Sequence, residues 1–123
     1  MNMALGCDLV VASENARFSE IFARRGLSID FGGSWLLPRR VGLHKAKELA
    51  LFADIINAAE AERIGLVNRV VPDVELDALV DEWAKRLAAM PPIAIAQTNF
   101  STKDTAEAIS AFTEKREPKF QGR

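Results

Sequence analysis

A single carboxylate, Asp30, lies in a glycine-rich segment and is the residue best suited to chemistry. Three glycines fall within residues 26–34, and the side chains beside Asp30 are the apolar Ile29 and Phe31. A carboxylate packed among apolar neighbours loses hydration, which raises its pKa towards the strength of a useful base. The glycines permit left-handed backbone or the close approach of another group. Alternatively, Asp30 caps a helix that begins near Gly33.

The composition limits other kinds of catalytic and metal chemistry. The 123-residue chain has one cysteine, Cys7, and one histidine, His44. An internal disulfide and a zinc site with several histidines are therefore excluded, and a Ser-His-Asp triad would have to use His44. We expect Cys7 to be a small buried hydrophobe and His44 to lie at an exposed helix start. No metal site is predicted.

The charge is nearly balanced, with 16 Lys and Arg against 17 Asp and Glu and a formal net charge of −1. This balance argues against nucleic-acid binding and against a polybasic membrane anchor. No stretch approaches the roughly 20 apolar residues that a membrane span needs. The apolar start contains Asp8 and no basic region, so it does not resemble a secretory signal. A cytoplasmic protein is therefore expected.

Short elements surround Asp30, and helices dominate the rest of the chain. The first half predicts strands at 9–12 and 17–19, an ambiguous stretch at 21–25, and a helix from Trp35 that Pro38 limits. The second half predicts helices at 43–52, at 58–64, after Asp73 with apolar positions from Leu76 to Met90, at 93–97 and at 104–115, with one strand at 66–71. Asn57 is the expected N-cap of the helix at 58–64, with Glu60 three residues later, and Gly65 is its stop.

This pattern indicates an α/β class with more helix than strand. The strands are too few and too scattered for a self-contained sheet, which needs three or more strands with a covered face. We therefore expect the chain to be a piece of a larger structure. No internal repeat and no low-complexity segment are present.

Several short segments, each present once, stand in a characteristic order along nearly the whole chain. They are Cys7-Asp8-Leu9-Val10-Val11-Ala12, Phe18, Gly26-Leu27-Ser28-Ile29-Asp30-Phe31-Gly32-Gly33-Ser34-Trp35-Leu36-Leu37-Pro38-Arg39, Val41-Gly42, Ala59-Glu60-Ala61, Gly65-Leu66-Val67-Asn68-Arg69-Val70-Val71-Pro72 and Ala111-Phe112-Thr113-Glu114-Lys115-Arg116. In this order and at these spacings they resemble the crotonase family, the enoyl-CoA hydratase/isomerase superfamily.

The resemblance implies a partial crotonase-like spiral of β-β-α turns over residues 1–72. A C-terminal helical region, 73–123, would follow and would serve oligomerisation and cover CoA. Members of this family bind acyl-CoA thioesters as substrates, and no further cofactor is expected. They hold the thioester oxygen with two backbone N–H donors, which stabilise a developing enolate. They form trimers or hexamers, so a homo-oligomer is expected here if the chain folds.

The resemblance also assigns roles near Asp30. Asp30 matches the carboxylate that acts as base in some isomerases of the family. Asn2 and Phe22 stand where the hydratases carry the two glutamates that handle water, and neither side chain is a base. Isomerisation is therefore favoured over hydration, and Phe22 is expected to pack in the core. Glu20 is not moved into the glutamate position, because the spacing of its flanking residues needs no gap.

On the last helix, Phe112 and Lys115 match positions that contact CoA in the family. The aromatic face would cover the adenine base, and the cation would reach the phosphates. The alternative is an amphipathic helix with a solvated lysine.

The resemblance further implies a shortened chain. Both oxyanion donors would precede Met1, and a helix and turn usual in the family are missing between residues 98 and 99. Two alternatives to an enzyme follow. The chain is a non-catalytic interaction module that uses the apolar face through Trp83 and Leu87, or it is an inactive remnant.

Overall fold

The computed structural model describes residues 1–92 and 103–121. They fall into two compact units, Met1–Asp77 and Ala78–Arg123. The helices are α1 (Asn2–Leu5), α2 (Gly33–Val41), α3 (Leu43–Phe52), α4 (Ala58–Arg63), α5 (Leu76–Ala88) and α6 (Lys103–Glu114). The strands are β1 (Val11–Ser13), β2 (Arg17–Phe18), β3 (Ile56–Asn57) and β4 (Arg69–Val71), and 3₁₀ turns cover Ile21–Arg25 and Asp73–Glu75.

Two pairs of short strands tie together distant parts of the first unit. β1 pairs in parallel with β4, and β2 pairs antiparallel with β3. Asn68 extends the first pair, because its backbone N–H donates to the Val10 carbonyl at 2.7 Å. The Asn68 side-chain oxygen accepts the Val10 N–H, also at 2.7 Å. The amide side chain thus continues the ladder beyond the end of the strand.

The core of the first unit consists of small and aliphatic side chains. Its buried members are Leu5, Ala12, Leu37, Ala46, Leu49, Ala61, Leu66 and Val67. Leu5 of α1 and Leu37 of α2 are each only 1% exposed. Because α1 and α2 both contribute to this core, the start of the chain lies against the segment that leads into α2.

Most predicted helices of the described residues are present, but α1 is not among the predictions and the limit at Pro38 differs. The helix at 43–52 is confirmed at both bounds. α2 does not stop at Pro38 but continues to Val41, so the predicted limit is wrong. Proline removes one backbone hydrogen bond, but burial of Leu37 stabilises the helix by about 1.5–3 kcal/mol. Burial of Leu37 therefore offsets part of the cost of the proline, which is about 3 kcal/mol inside a helix.

Two other expectations for the first unit also differ from the structure. The strand predicted at 66–71 covers only Arg69–Val71, because Leu66 and Val67 turn into the core after α4 instead of joining the ladder. Cys7 is exposed, not buried, since it follows α1 in a surface turn.

The helix predicted at 93–97 lies outside the described residues. Among those that are described, none of the helices combines the length and apolar character needed to cross a membrane.

The N-cap of α4 generates a stability prediction. The Asn57 side-chain oxygen accepts the Glu60 N–H at 2.9 Å, which confirms the predicted cap. The Glu60 carboxylate pairs with Arg63. Asn57→Ala removes the acceptor and should lower the free energy of unfolding by about 1 kcal/mol. Urea unfolding followed by circular dichroism measures this. Asn57→Asp keeps an oxygen acceptor, so a loss as large as that of the alanine variant would contradict a capping role.

Candidate active site

Three polar side chains from separate parts of the first unit meet at one point. Asn2 begins α1, Glu20 precedes the 3₁₀ turn, and Asp30 lies in the loop before α2. The Asn2 amide nitrogen Nδ2 donates to Glu20 Oε2 at 3.1 Å and to Asp30 Oδ1 at 3.3 Å. One amide group therefore bridges two carboxylates.

The two carboxylates of this cluster differ in their environment. Glu20 is 1% exposed and Asn2 is 3% exposed, whereas Asp30 is an exposed residue. The expected burial of Asp30 among apolar neighbours is therefore not found. Phe31, one of the side chains expected to cover it, is itself 68% exposed. The structure thus places the buried carboxylate at Glu20 and the accessible one at Asp30.

Burial dominates the ionisation of Glu20. Loss of hydration raises the pKa of its carboxyl above the ordinary value of 4.5. The hydrogen bond from Asn2 and the positive amino group of Met1 oppose this rise in the pKa, and the nearby charge of Asp30 adds to it. Glu20 Oε1 and Asn2 Oδ1 are both buried without a hydrogen-bond partner.

Asp30 opens a tight turn into α2. The Gly33 N–H donates to the Asp30 carbonyl at 2.8 Å, and the two residues between them have left-handed backbone, with φ of 47° at Phe31 and 69° at Gly32. Positive φ at both central positions is the pattern of a type I′ turn. Such backbone costs a residue with a side chain about 1–2 kcal/mol. The turn thus holds Phe31 in a strained conformation directly beside Asp30.

The alternative role of Asp30, as the side-chain cap of α2, is not found. The N-cap residue is Gly32, and no side chain bonds to the free N–H groups there. Asp30 contributes its backbone carbonyl to the turn, while its carboxylate faces Asn2.

Gly33 makes the close approach of Asn2 possible. A Cβ atom built at Gly33 would lie 2.4 Å from Ile29 Cγ2 and 2.6 Å from Asn2 Cγ. Real Cβ atoms do not come this close to other heavy atoms. Of the paired glycines, Gly32 therefore serves the left-handed turn and Gly33 serves packing against Asn2.

Sequence reasoning missed Glu20 and misjudged Phe22. Phe22 is half-buried and does not pack against the core cluster, so its expected core role is wrong. It lies in a 3₁₀ turn whose five residues include none that is buried. Glu20 stands two residues after Phe18, which does pack against the core. Glu20 lies beyond the end of β2, so the alternation of a strand gives no signal for its burial.

The second unit carries the residues expected to contact CoA. Phe112 is 87% exposed and Lys115 is exposed, so both are free to meet a ligand. Lys115 ends α6 with left-handed backbone at φ 53°. Its N–H donates to the Phe112 carbonyl at 3.3 Å, and the Arg116 N–H donates to the Ala111 carbonyl at 3.0 Å. This is the turn that commonly closes a helix, with lysine where glycine is usual.

Arg116 fixes the segment that follows α6. Its guanidinium donates to Glu107 at 2.6 and 3.1 Å and to Glu114 at 2.6 Å. Glu107 also accepts the Lys119 N–H at 2.7 Å. The hydrogen bonds from the Arg116 side chain, and next the one from the Lys119 N–H, lower the pKa of Glu107 from 4.5 to about 2. The stabilisation from this pair is therefore complete above pH 4.5 and is lost as the pH falls through 2.

The remaining candidates for catalytic and metal chemistry do not form a site. His44 is exposed in the first turn of α3, as predicted. Within residues 1–92 and 103–121, no three histidine, cysteine or acidic side chains are arranged to hold a metal ion.

Comparison with known proteins identifies relatives of the chain. The model of the enoyl-CoA hydratase/isomerase family matches residues 1–99. A Rhodobacter capsulatus protein described as a probable enoyl-CoA hydratase is 37% identical, over 99% of this chain and 57% of its own length. The 1,2-epoxyphenylacetyl-CoA isomerase of Escherichia coli is 33% identical, over 98% of this chain and 56% of its own.

Solved structures of this group share the fold. The crystal structure of an enoyl-CoA hydratase from Bacillus anthracis matches 97% of this chain with a TM-score of 0.85 and 31% identity, and the match covers 56% of that protein. The expected crotonase-like fold is thereby confirmed. The chain spans just over half the length of these relatives.

The matched region is also shorter in this chain. The alignment with the Rhodobacter protein spans 147 positions, more than the 123 residues of the chain, so the relative holds residues that this chain lacks. The predicted place of that shortening, between residues 98 and 99, lies outside the described residues.

The contact between Gly33 and Asn2 can be tested by a substitution that adds one methyl group at Gly33. Gly33→Ala should lower the free energy of unfolding by about 1–3 kcal/mol, because the new Cβ overpacks against Asn2 and Ile29. Ser34→Ala is the matched control, since Ser34 is exposed in the same turn of α2 and should change stability by no more than about 0.5 kcal/mol. Urea midpoints compare the two variants. Equal midpoints would show that Asn2 does not occupy this position.

Proposed function

Because the chain belongs to the enoyl-CoA hydratase/isomerase family, we propose that it serves acyl-CoA chemistry through an enolate, with isomerisation favoured over hydration. The observation that carries this proposal is the exposed carboxylate of Asp30, held by the Asn2 amide in a strained turn. An accessible carboxylate with a fixed orientation suits a group that takes a proton from a substrate carbon.

In this reaction Asp30 moves one proton between two carbons of the acyl chain. The carboxylate takes the proton from one carbon, and the electron pair delocalises towards the thioester carbonyl. The proton then returns to another carbon, and the double bond has shifted without net gain or loss of atoms. The charge that develops on the thioester oxygen needs preorganised donors. By resemblance, these donors are two backbone N–H groups.

The two residues that stand in place of the hydratase glutamates also disfavour hydration. Water addition needs a base to activate water and an acid to complete the addition. The Asn2 amide nitrogen donates to two carboxylates and cannot take up a proton. Phe22 has no ionisable group. These side chains support an isomerase-type or related enolate reaction.

The proposed CoA contacts lie on the second unit. Phe112 offers an almost fully exposed aromatic ring for the adenine base, and Lys115 offers a cation for phosphate. Arg116 is occupied by Glu107 and Glu114. Lys115 is an exposed lysine in the turn that closes α6, next to the exposed ring of Phe112.

The wider proposal follows the family. Residues 1–72 would form part of the spiral core, and residues 73–123 would cover CoA and make contacts between subunits. The protein would act in the cytoplasm as a trimer or hexamer, with the acyl-CoA thioester as substrate and no other cofactor.

A non-catalytic interaction module remains the second candidate. Three apolar side chains on or just after α5 are about half exposed: Val80 at 45%, Leu87 at 43% and Met90 at 53%. A second copy of the chain could bury this face. Sedimentation velocity of the chain tests this, and a strictly monomeric folded protein would contradict the module.

The role of Asp30 can be tested by turnover. The chain is fused behind the part of the Rhodobacter relative that precedes the matched region, and double-bond migration is assayed with an enoyl-CoA. Asp30→Asn should lower kcat by at least about 100-fold, because the amide cannot accept the proton. Asp8→Asn, at another exposed aspartate, should leave kcat unchanged. Undiminished turnover in the Asp30 variant would remove Asp30 from the mechanism.

A substitution of Lys115 should have opposite effects on stability and on ligand binding. Lys115→Gly should raise the free energy of unfolding by about 0.5–1 kcal/mol, because glycine adopts left-handed backbone without strain. The same variant should weaken the stabilisation that crotonyl-CoA gives, which is about 2.7 kcal/mol at a hundredfold excess over Kd. Urea curves with and without crotonyl-CoA measure both effects. Lys119→Ala is the control cation, and a full ligand response in the Lys115 variant would contradict phosphate binding.

A further inference from the structure

We propose that Glu20 is a positioning residue for Asp30 and acts through the side-chain amide of Asn2. This inference rests on the proposed function for its catalytic meaning, because it names the residue that orients the proposed base. The positioning itself is inferred from the hydrogen bonds of Asn2 with the two carboxylates.

The geometry shows how the orientation is set. The Asn2 amide has two N–H bonds, and Glu20 and Asp30 each lie within hydrogen-bond distance of its nitrogen. If the amide were turned over, its oxygen would face both carboxylates and repel them. The Asn2 oxygen has no partner in the structure and does not fix the amide. The shorter bond, at 3.1 Å, goes to the buried Glu20.

Glu20 is costly as a purely structural residue. A buried carboxylate loses hydration, and an apolar side chain of similar volume usually fills such a place at lower cost. Glu20 recovers one hydrogen bond from Asn2, and its second oxygen has no partner. This arrangement is therefore better explained by what Glu20 does to Asn2 than by its own contribution to stability.

Glu20 and Asp30 share the same amide group as hydrogen-bond donor. The groups that face Glu20 are the Asn2 amide, the amino group of Met1 and the carboxylate of Asp30. When Glu20 takes up a proton, its oxygen becomes a weaker acceptor and the Asn2 amide shifts its hydrogen bonding towards Asp30. The ionisation of Glu20 should therefore be visible at Asn2.

The test follows the side-chain amide of Asn2 by NMR as the pH is changed, using the full chain without substrate. An inflection that belongs to Glu20 is expected above the ordinary range of a glutamate, because burial raises the pKa of its carboxyl. Glu20→Gln should remove this inflection, and Asp8→Asn should leave it. An unaltered chain without this inflection, or an inflection that survives Glu20→Gln, would overturn the proposal.

A second measurement separates positioning from structural support. Three-bond couplings report the side-chain rotamer of Asp30, which should be a single rotamer in the unaltered chain. Glu20→Gln keeps an oxygen that accepts from Asn2 and should preserve that rotamer. In Glu20→Leu, the Asp30 side chain should exchange among several rotamers and its couplings should be averaged. An unchanged rotamer in the folded leucine variant would overturn the proposal. If the leucine variant does not fold, the titrations of the unaltered chain and of Glu20→Gln decide the outcome.

Neither measurement requires turnover. An inactive protein that shows the Glu20 inflection, and loses it in Glu20→Gln, would refute the proposed function and leave the positioning role of Glu20 intact. An active isomerase without the Glu20 inflection would refute the positioning role and leave the proposed function intact.

Discussion

The packing of α1 against α2 is the constraint on which the candidate site depends. Burial of Leu5 and Leu37 fixes the two helices, and each buried leucine stabilises the fold by about 1.5–3 kcal/mol. A single hydrogen bond contributes about 0.5–1.5 kcal/mol. The apolar contact therefore decides where Asn2 lies, and the hydrogen bonds decide which way its amide faces. Gly33 permits the contact because it carries no side chain at the point of closest approach.

Features with a local signal were predictable from the sequence, and features made by distant residues were not. The cap at Asn57, the bounds of α3 and the stop at Gly65 all follow from neighbouring residues. The chemical candidate Asp30 was also identified, but its surroundings were not. The exposure of Asp30 depends on residues far along the chain. Phe31, a neighbour that was expected to cover it, is itself exposed. Glu20 was passed over for the same reason, since its partner is 18 residues away.

Left-handed backbone at non-glycine residues occurs at both proposed sites, beside Asp30 at Phe31 and at Lys115 itself. Such strain indicates a function only in combination with exposure and chemistry. Ala53 has a similar backbone, with φ of 54°, yet it is fully buried and closes α3. Phe31 and Lys115 differ from it because each combines the strained backbone with an exposed side chain. The exposed ring or cation, not the dihedral angle, distinguishes the candidate sites.

The parallel pairing of β1 with β4 also affects how the chain is made. Val10 and Asn68, which are joined by two hydrogen bonds, are 58 residues apart. At a synthesis rate of about 5–20 residues per second, β1 leaves the ribosome several seconds before its partner strand exists. During that interval helices can form, but β1 has no ladder to join. The first strand pair is therefore a late event of synthesis, completed only once Asn68 and β4 exist.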